Sequence, residues 1–318
     1  MSIASSASQP TTSVSAETFT VPTSVVLGRQ RLADYAELCR PRLAIMTMVA
    51  VAVGFTLASP ITFDLSRLLF AMLGVVQLVA ASSMLNQCLE RRSDARMVRT
   101  RLRPIASGRI SVAEGSSVAA VLTLTGFGML WNMVTPAAAL ATLATLLTYT
   151  LAYTLLKSRT SLCTTVGAVP GAMPPVIGWL AAGRELGPEA LALFAVFFVW
   201  QFPHFLAIGW IHRHDYQQAG LRMLPSFTDN GLRTGLIAVV YAATFVPISA
   251  LPACIGMSGD LYLSAAMVFS VAYLVYSVRF LLHRSELRAR NLLYNSLICL
   301  PSLLIALVLD FLRLTAIG

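Results

Sequence analysis

Asn86, Glu90 and Asp94 fall at i, i+4 and i+8, a spacing that sets three oxygen-bearing side chains on one face of a helix. Arg99, Arg101 and Arg103 follow directly. Hard oxygen donors beside guanidiniums suit a divalent cation together with a polyphosphate: the oxygens hold the metal and the arginines grip the anion. The triplet closes a run that carries no charge after Arg67 and is long enough to cross a bilayer as a helix. A basic loop flanking a membrane span would account for the arginines alone. It does not account for three oxygen donors sharing one face at membrane depth, where ionisable groups are costly and usually functional.

A second polar cluster, Trp200 to Phe205 and then His212 to Pro225, closes another apolar run. Asp215 is its carboxylate. It reads either as a further metal ligand or as a helix-end charge paired with Arg213 or Arg222. His204 lies at least one turn inside the apolar run and reads as a hydrogen-bonded core histidine or as a substrate-facing group. Lys157, the single lysine of the chain, and Arg159 supply cations between two other apolar runs. Gly167, Pro170, Gly171, Pro174, Pro175 and Gly178 within one run predict a kinked helix whose small residues admit close packing or a bulky ligand.

The elements that must position these groups are membrane helices. The 318 residues are 57% hydrophobic and 12% charged, with a mean hydropathy of +0.73, which excludes a soluble domain. Loop charges cut the chain into nine expected spans, at about 43–59, 67–89, 114–132, 136–156, 162–182, 190–211, 233–256, 260–282 and 292–314. Asn132 and Pro136 divide the third from the fourth. With the N-terminus cytoplasmic, 20 of the 23 basic residues fall in cytoplasmic segments, and only Arg67, Arg184 and Arg313 fall outside. The expectation is therefore an all-α polytopic membrane protein with nine transmembrane helices, N-terminus cytoplasmic and C-terminus extracytoplasmic. The net charge of +9 follows from this charge rule and gives no reason to expect nucleic acid. Residues 1–33 read as a disordered tail without signal-peptide features, and 34–318 as one transmembrane domain in a bacterial inner membrane. The five cysteines are scattered and show no metal-ligand spacing.

Together these residues resemble the intramembrane prenyltransferase superfamily, and within it the haem O synthase (protoheme IX farnesyltransferase) family. Asn86, Glu90 and Asp94 match its first acidic motif, continued by Met97, Arg99-Thr100, Arg103-Pro104 and Gly108. Lys157, Arg159-Thr160, Gly171 to Trp179, Pro203-His204-Phe205 and Asp215 to Pro225 match further motifs, and Arg40-Pro41-Arg42 resembles the one that opens the first helix. Ala219 stands where most of the superfamily carries a second acid, and Arg222 where proline is usual. The resemblance implies transfer of a farnesyl group from farnesyl diphosphate to a vinyl group of haem B, with Mg²⁺ as cofactor. It implies that Asn86, Glu90, Asp94 and Asp215 hold the metal, that Arg99, Arg103, Lys157 and Arg159 bind diphosphate, and that His204 lies on the haem side. Partners would be both substrates, the bilayer and haem-pathway proteins. The rivals are a prenyltransferase acting on a quinone precursor or chlorophyllide, and a transporter. The transporter fits less well, because the acids gather at one membrane face and no internal repeat is seen.

Overall fold

The computed structural model describes residues 23–59, 63–156, 163–218, 220 and 231–317, and among these it is helical without strands. Twelve α-helices follow one another: α1 (Thr23–Cys39), α2 (Pro41–Ala58), α3 (Leu65–Asp94), α4 (Val112–Met133), α5 (Pro136–Leu147), α6 (Thr154–Leu156), α7 (Cys163–Ala181), α8 (Pro188–Ile211), α9 (Arg213–Gln218), α10 (Leu232–Cys254), α11 (Asp260–His283) and α12 (Glu286–Ile317). A π-helical turn, Thr148–Tyr153, joins α5 to α6. Each expected span coincides with one of these helices.

Local chemistry sets the boundaries. The Asp64 carboxylate accepts from the Arg67 amide at 3.0 Å and caps α3. The expected break between α4 and α5 is made by Thr135, whose hydroxyl accepts from the Ala138 amide at 3.1 Å ahead of Pro136 in the first turn. At the far end of the chain the fully buried Asp310 of α12 accepts from the amides of Gly259 and Tyr262, at 2.6 and 3.1 Å, and so caps α11. One apolar core gathers α8, α10, α11 and α12, and a second gathers α3, α4 and α5. Helices α2 and α7 lie between these cores and pack on each other.

Eight helical segments among the described residues are long and apolar enough to cross a membrane, α5 counting together with the π-turn. The protein is a multi-pass membrane protein. The helix in the remaining place, α7, falls below that apolarity because of its prolines and glycines, but its 19 residues still span about 28 Å. Its C-terminal end is tied to the ends of two spanning helices: Arg184 donates to the Ala58 carbonyl at 3.1 Å, and Thr135 to the Leu180 carbonyl at 2.9 Å. We propose that α7 spans the membrane too, which keeps the loop charges alternating and leaves the C-terminus extracytoplasmic. A topology reporter fused after Gly318 should then be active only on the extracytoplasmic side; cytoplasmic activity would put the helix count off by one.

The N-terminal expectation changes in part. Residues 23–33, read from sequence as part of a disordered tail, belong to α1, while residues 1–22 lie outside the described residues. Partners remote in sequence hold this helix down. Arg109 bridges Asp34 at 2.8 Å and Glu37 at 3.2 Å, and Tyr35 donates to Glu114 at 2.6 Å. That hydrogen bond, with burial and the nearby carboxylate charge, raises the Tyr35 pKa above its ordinary value, so the phenol stays a donor at neutral pH.

Candidate active site

Asn86, Glu90 and Asp94 line one face of the last turns of α3 and are all buried, Asp94 to 1% exposure. Groups this polar persist there only with partners. The Asn86 amide nitrogen donates to Thr154 Oγ1 at 3.1 Å, while its oxygen accepts from Arg40 Nη2 at 3.4 Å. Both Asp94 oxygens accept from Arg103 Nη1, at 2.9 and 2.8 Å. Thr100 Oγ1 donates to the Asp94 carbonyl at 2.9 Å and folds the basic loop back over the helix end. Met97, Ile105 and Ile110 are buried and anchor that loop, while Arg99 remains exposed. Glu90 lies within electrostatic range of Tyr153 on the π-turn.

A cavity of about 410 Å³ opens beside this face. Its apolar walls come from α2, α3, α5, α7 and α8, among them Leu43, Val75, Leu78, Leu146, Ile177 and Leu206. Arg40, Tyr153 and Tyr216 give it a polar end. The π-turn widens the helix where Tyr149 and Tyr153 meet the cavity, their rings stacked at 5.3 Å between centroids. Thr154, one residue past that turn, donates to the Tyr149 carbonyl at 3.0 Å and accepts from Asn86, linking the turn to the acidic face.

Arg40 is the main addition to the residues singled out from sequence. It caps α2 in the left-handed region, φ 49° and ψ 67°, ahead of Pro41, which disfavours the helical conformation for the residue before it. A non-glycine residue held there costs about 1–3 kcal/mol. The result is a guanidinium at the polar end of the cavity and within reach of Asn86. The only signal for it in the sequence was the Arg-Pro pair at the start of the span.

Asp215 lies on α9, a short helix beyond the cytoplasmic end of α8. It and Arg99 both act on His212: burial lowers the His212 pKa most, Arg99 lowers it further, and Asp215 opposes them. The second cluster thus comes close to the basic loop. Among the described residues no three His, Cys, Asp or Glu side chains converge as a ready metal cluster. Two of the four expected ligands are engaged by guanidiniums instead, Asn86 by Arg40 and Asp94 by Arg103. The donor chemistry, buried hard oxygens on one face, still suits Mg²⁺. Lys157 and Arg159 lie outside the described residues. His204 is on α8 but does not line the cavity; it donates or accepts at 2.7 Å with Ser296 of α12 and stacks on Trp200.

An enzyme that keeps charged groups at one membrane face, with a hydrocarbon-sized cavity behind them, handles amphiphiles with an anionic head. Sequence comparison supplies the family. A profile of the UbiA prenyltransferase family matches residues 47–298, and the chain belongs to that family. It is therefore a prenyltransferase. It is 39% identical to a protein named protoheme IX farnesyltransferase from Solibacter usitatus over 286 residues, 87% of this chain and 98% of that one. A protein of the same name from Koribacter versatilis is also 39% identical, over 88% of this chain and 93% of its own. Among solved structures, one concerning digeranylgeranylglyceryl phosphate synthase shares the fold at a TM-score of 0.75 and 17% identity, covering 89% of this chain and 99% of that one. A UbiA homologue from Archaeoglobus fulgidus bound to GPP and Mg²⁺ shares it at 0.63 and 17%, covering 86% and 99%.

Proposed function

We propose that this enzyme transfers the farnesyl group of farnesyl diphosphate to a vinyl group of haem B, making haem O in a bacterial inner membrane. The observation that carries the reading is the junction of the apolar cavity with the buried Asn86–Glu90–Asp94 face and its arginines. A prenyl diphosphate is apolar along its tail and carries its charge at the other end, and this junction has the same division. The names of the sequence relatives support the haem acceptor, and the GPP and Mg²⁺ in the Archaeoglobus homologue support the donor and the metal.

In this reading Asn86, Glu90, Asp94 and Asp215 hold Mg²⁺, which when bound neutralises the diphosphate as a leaving group. Arg40, Arg99, Arg103, Lys157 and Arg159 bind the same anion. Breaking the C1–O bond sends the electron pair to the diphosphate and leaves an allylic cation, so preorganised guanidiniums lower the barrier where negative charge collects. The stacked faces of Tyr149 and Tyr153 offer that cation an attractive surface. The cavity walls exclude water until the vinyl π electrons form the new carbon–carbon bond. His204 belongs to the acceptor side.

The acceptor must be read from the product, because diphosphate chemistry is shared with enzymes that prenylate quinone precursors. Expressed in a host lacking its own haem O synthase, the chain should yield a farnesylated haem more hydrophobic than haem B among the extracted non-covalent haems. Unmodified haem B alone, from well-expressed protein with farnesyl diphosphate present, would overturn the haem assignment.

A further inference from the structure

His204 has a fixed tautomer. Its Nδ1 lies 2.7 Å from Ser296 Oγ, and the same oxygen lies 2.6 Å from the Leu293 carbonyl oxygen. A serine hydroxyl carries one proton. Were that proton directed at His204, two oxygen lone pairs would face each other across 2.6 Å with nothing between them. The proton therefore lies between Ser296 and Leu293, and Ser296 must accept from Nδ1–H. That leaves Nε2 without a proton, and among the described residues no donor meets it.

The ring is also held in place. It stacks on Trp200 with centroids 5.0 Å apart, and the Trp200 indole donates to the Ser296 carbonyl at 3.1 Å. Tyr273 in turn donates to the Trp200 carbonyl at 2.8 Å. A core histidine serving only packing would spend both nitrogens. This one spends Nδ1 on a buried neutral acceptor and keeps Nε2 bare, the arrangement by which histidine ligates metals: the second nitrogen's hydrogen bond sets the tautomer and aims the first. The neighbouring Phe205 ring, 5.7 Å away, lines the prenyl cavity, so a macrocycle docked at His204 would have its edge beside the reacting chain.

We infer that His204 Nε2 is an axial ligand to the iron of the acceptor haem, with Ser296 as the positioning residue that fixes its tautomer. The inference rests on the haem reading of the site and goes beyond it by naming the bond that orients the porphyrin. It is tested on the full-length protein in nanodiscs loaded with haem B, by absorption and resonance Raman spectra, with farnesyl diphosphate binding and thermal unfolding recorded for each variant. The wild type should bind haem stoichiometrically with a histidine-ligated spectrum. His204→Ala should lose that signature, regain it with added imidazole, and bind farnesyl diphosphate as before. Ser296→Ala, which keeps the ligand but frees the tautomer, should weaken haem binding by about 10- to 100-fold. If the wild type binds and farnesylates haem while His204→Ala shows an unchanged spectrum, another group holds the iron; the inference is overturned and the haem reading stands. If the wild type neither binds nor farnesylates haem, the haem reading fails and the inference with it.

Discussion

Glu90→Gln and Asp94→Asn are each expected to lower turnover about 100-fold or more, since each removes a full charge from the face that meets the departing diphosphate. The two variants should differ in stability. Asp94 holds Arg103 through both of its oxygens, and breaking a buried ion pair costs about 3–5 kcal/mol; asparagine keeps the shape and one acceptor, so its cost should be smaller. Glu90→Gln should leave the melting temperature in detergent close to wild type. Turnover, melting temperature and prenyl diphosphate binding, measured together, separate the effects. Near-normal turnover in Asp94→Asn would remove this face from the chemistry. The control carboxylate must be chosen with care. Glu114 is outside the motif but accepts from Tyr35 and pairs with Arg31, so Glu114→Gln would loosen α1. Exposed Glu185, in the loop between α7 and α8, is the better choice, and Glu185→Gln should retain activity.

The span boundaries were legible because charge is expensive inside a bilayer: wherever the chain carries arginines, a helix has to end. The face of Asn86, Glu90 and Asp94 was legible because helical spacing alone places them together. Other parts of the site depend on contacts that spacing does not encode. Arg40 reaches Asn86 through one left-handed residue, and Pro41 restricts the backbone of Arg40 without stating where the guanidinium goes. The π-turn that sets Tyr149 and Tyr153 against the cavity adds no residue type that marks it. The His204 tautomer depends on Ser296, 92 residues away. Residues 23–33 looked too polar to fold alone, and their helix is fixed by Arg109 and Glu114, which belong to a loop and helix far along the chain. The expected grouping of Glu90, Asp94 and Asp215 came from all three lying at cytoplasmic helix ends, yet sharing a membrane face does not make a cluster. Asp94 is turned toward Arg103, and Asp215 sits on a separate short helix.

Gly54→Ala and Gly178→Ala are expected to be the most damaging small substitutions in the bundle. Helices α2 and α7 touch backbone to backbone here: a Cβ added at Gly54 would fall on the Pro175 carbonyl, and one added at Gly178 on the Val51 carbonyl. Neither obstacle is a side chain that can swing aside, so the helices must part. Small residues at such crossings are what lets membrane helices pack this closely. Alanine is the better helix former by about 1 kcal/mol, and on propensity alone both changes would stabilise. Overpacking costs about 1–3 kcal/mol and reverses that sign. Gly128 supplies the comparison, since an added Cβ there meets nothing within 4 Å. Gly128→Ala should be neutral or slightly stabilising. The functional consequence follows from what α7 carries: Pro170, Gly171, Pro174 and Ile177 form part of the cavity wall, with Ile177 next to the crossing. Pushing α7 away from α2 should therefore lower turnover as well as melting temperature, with the loss greatest for the longest prenyl donors, which need the most wall contact. Melting temperatures and turnover with donors of increasing chain length would measure both effects. A wild-type melting temperature for Gly178→Ala would show that the two helices tolerate a wider spacing than this packing requires.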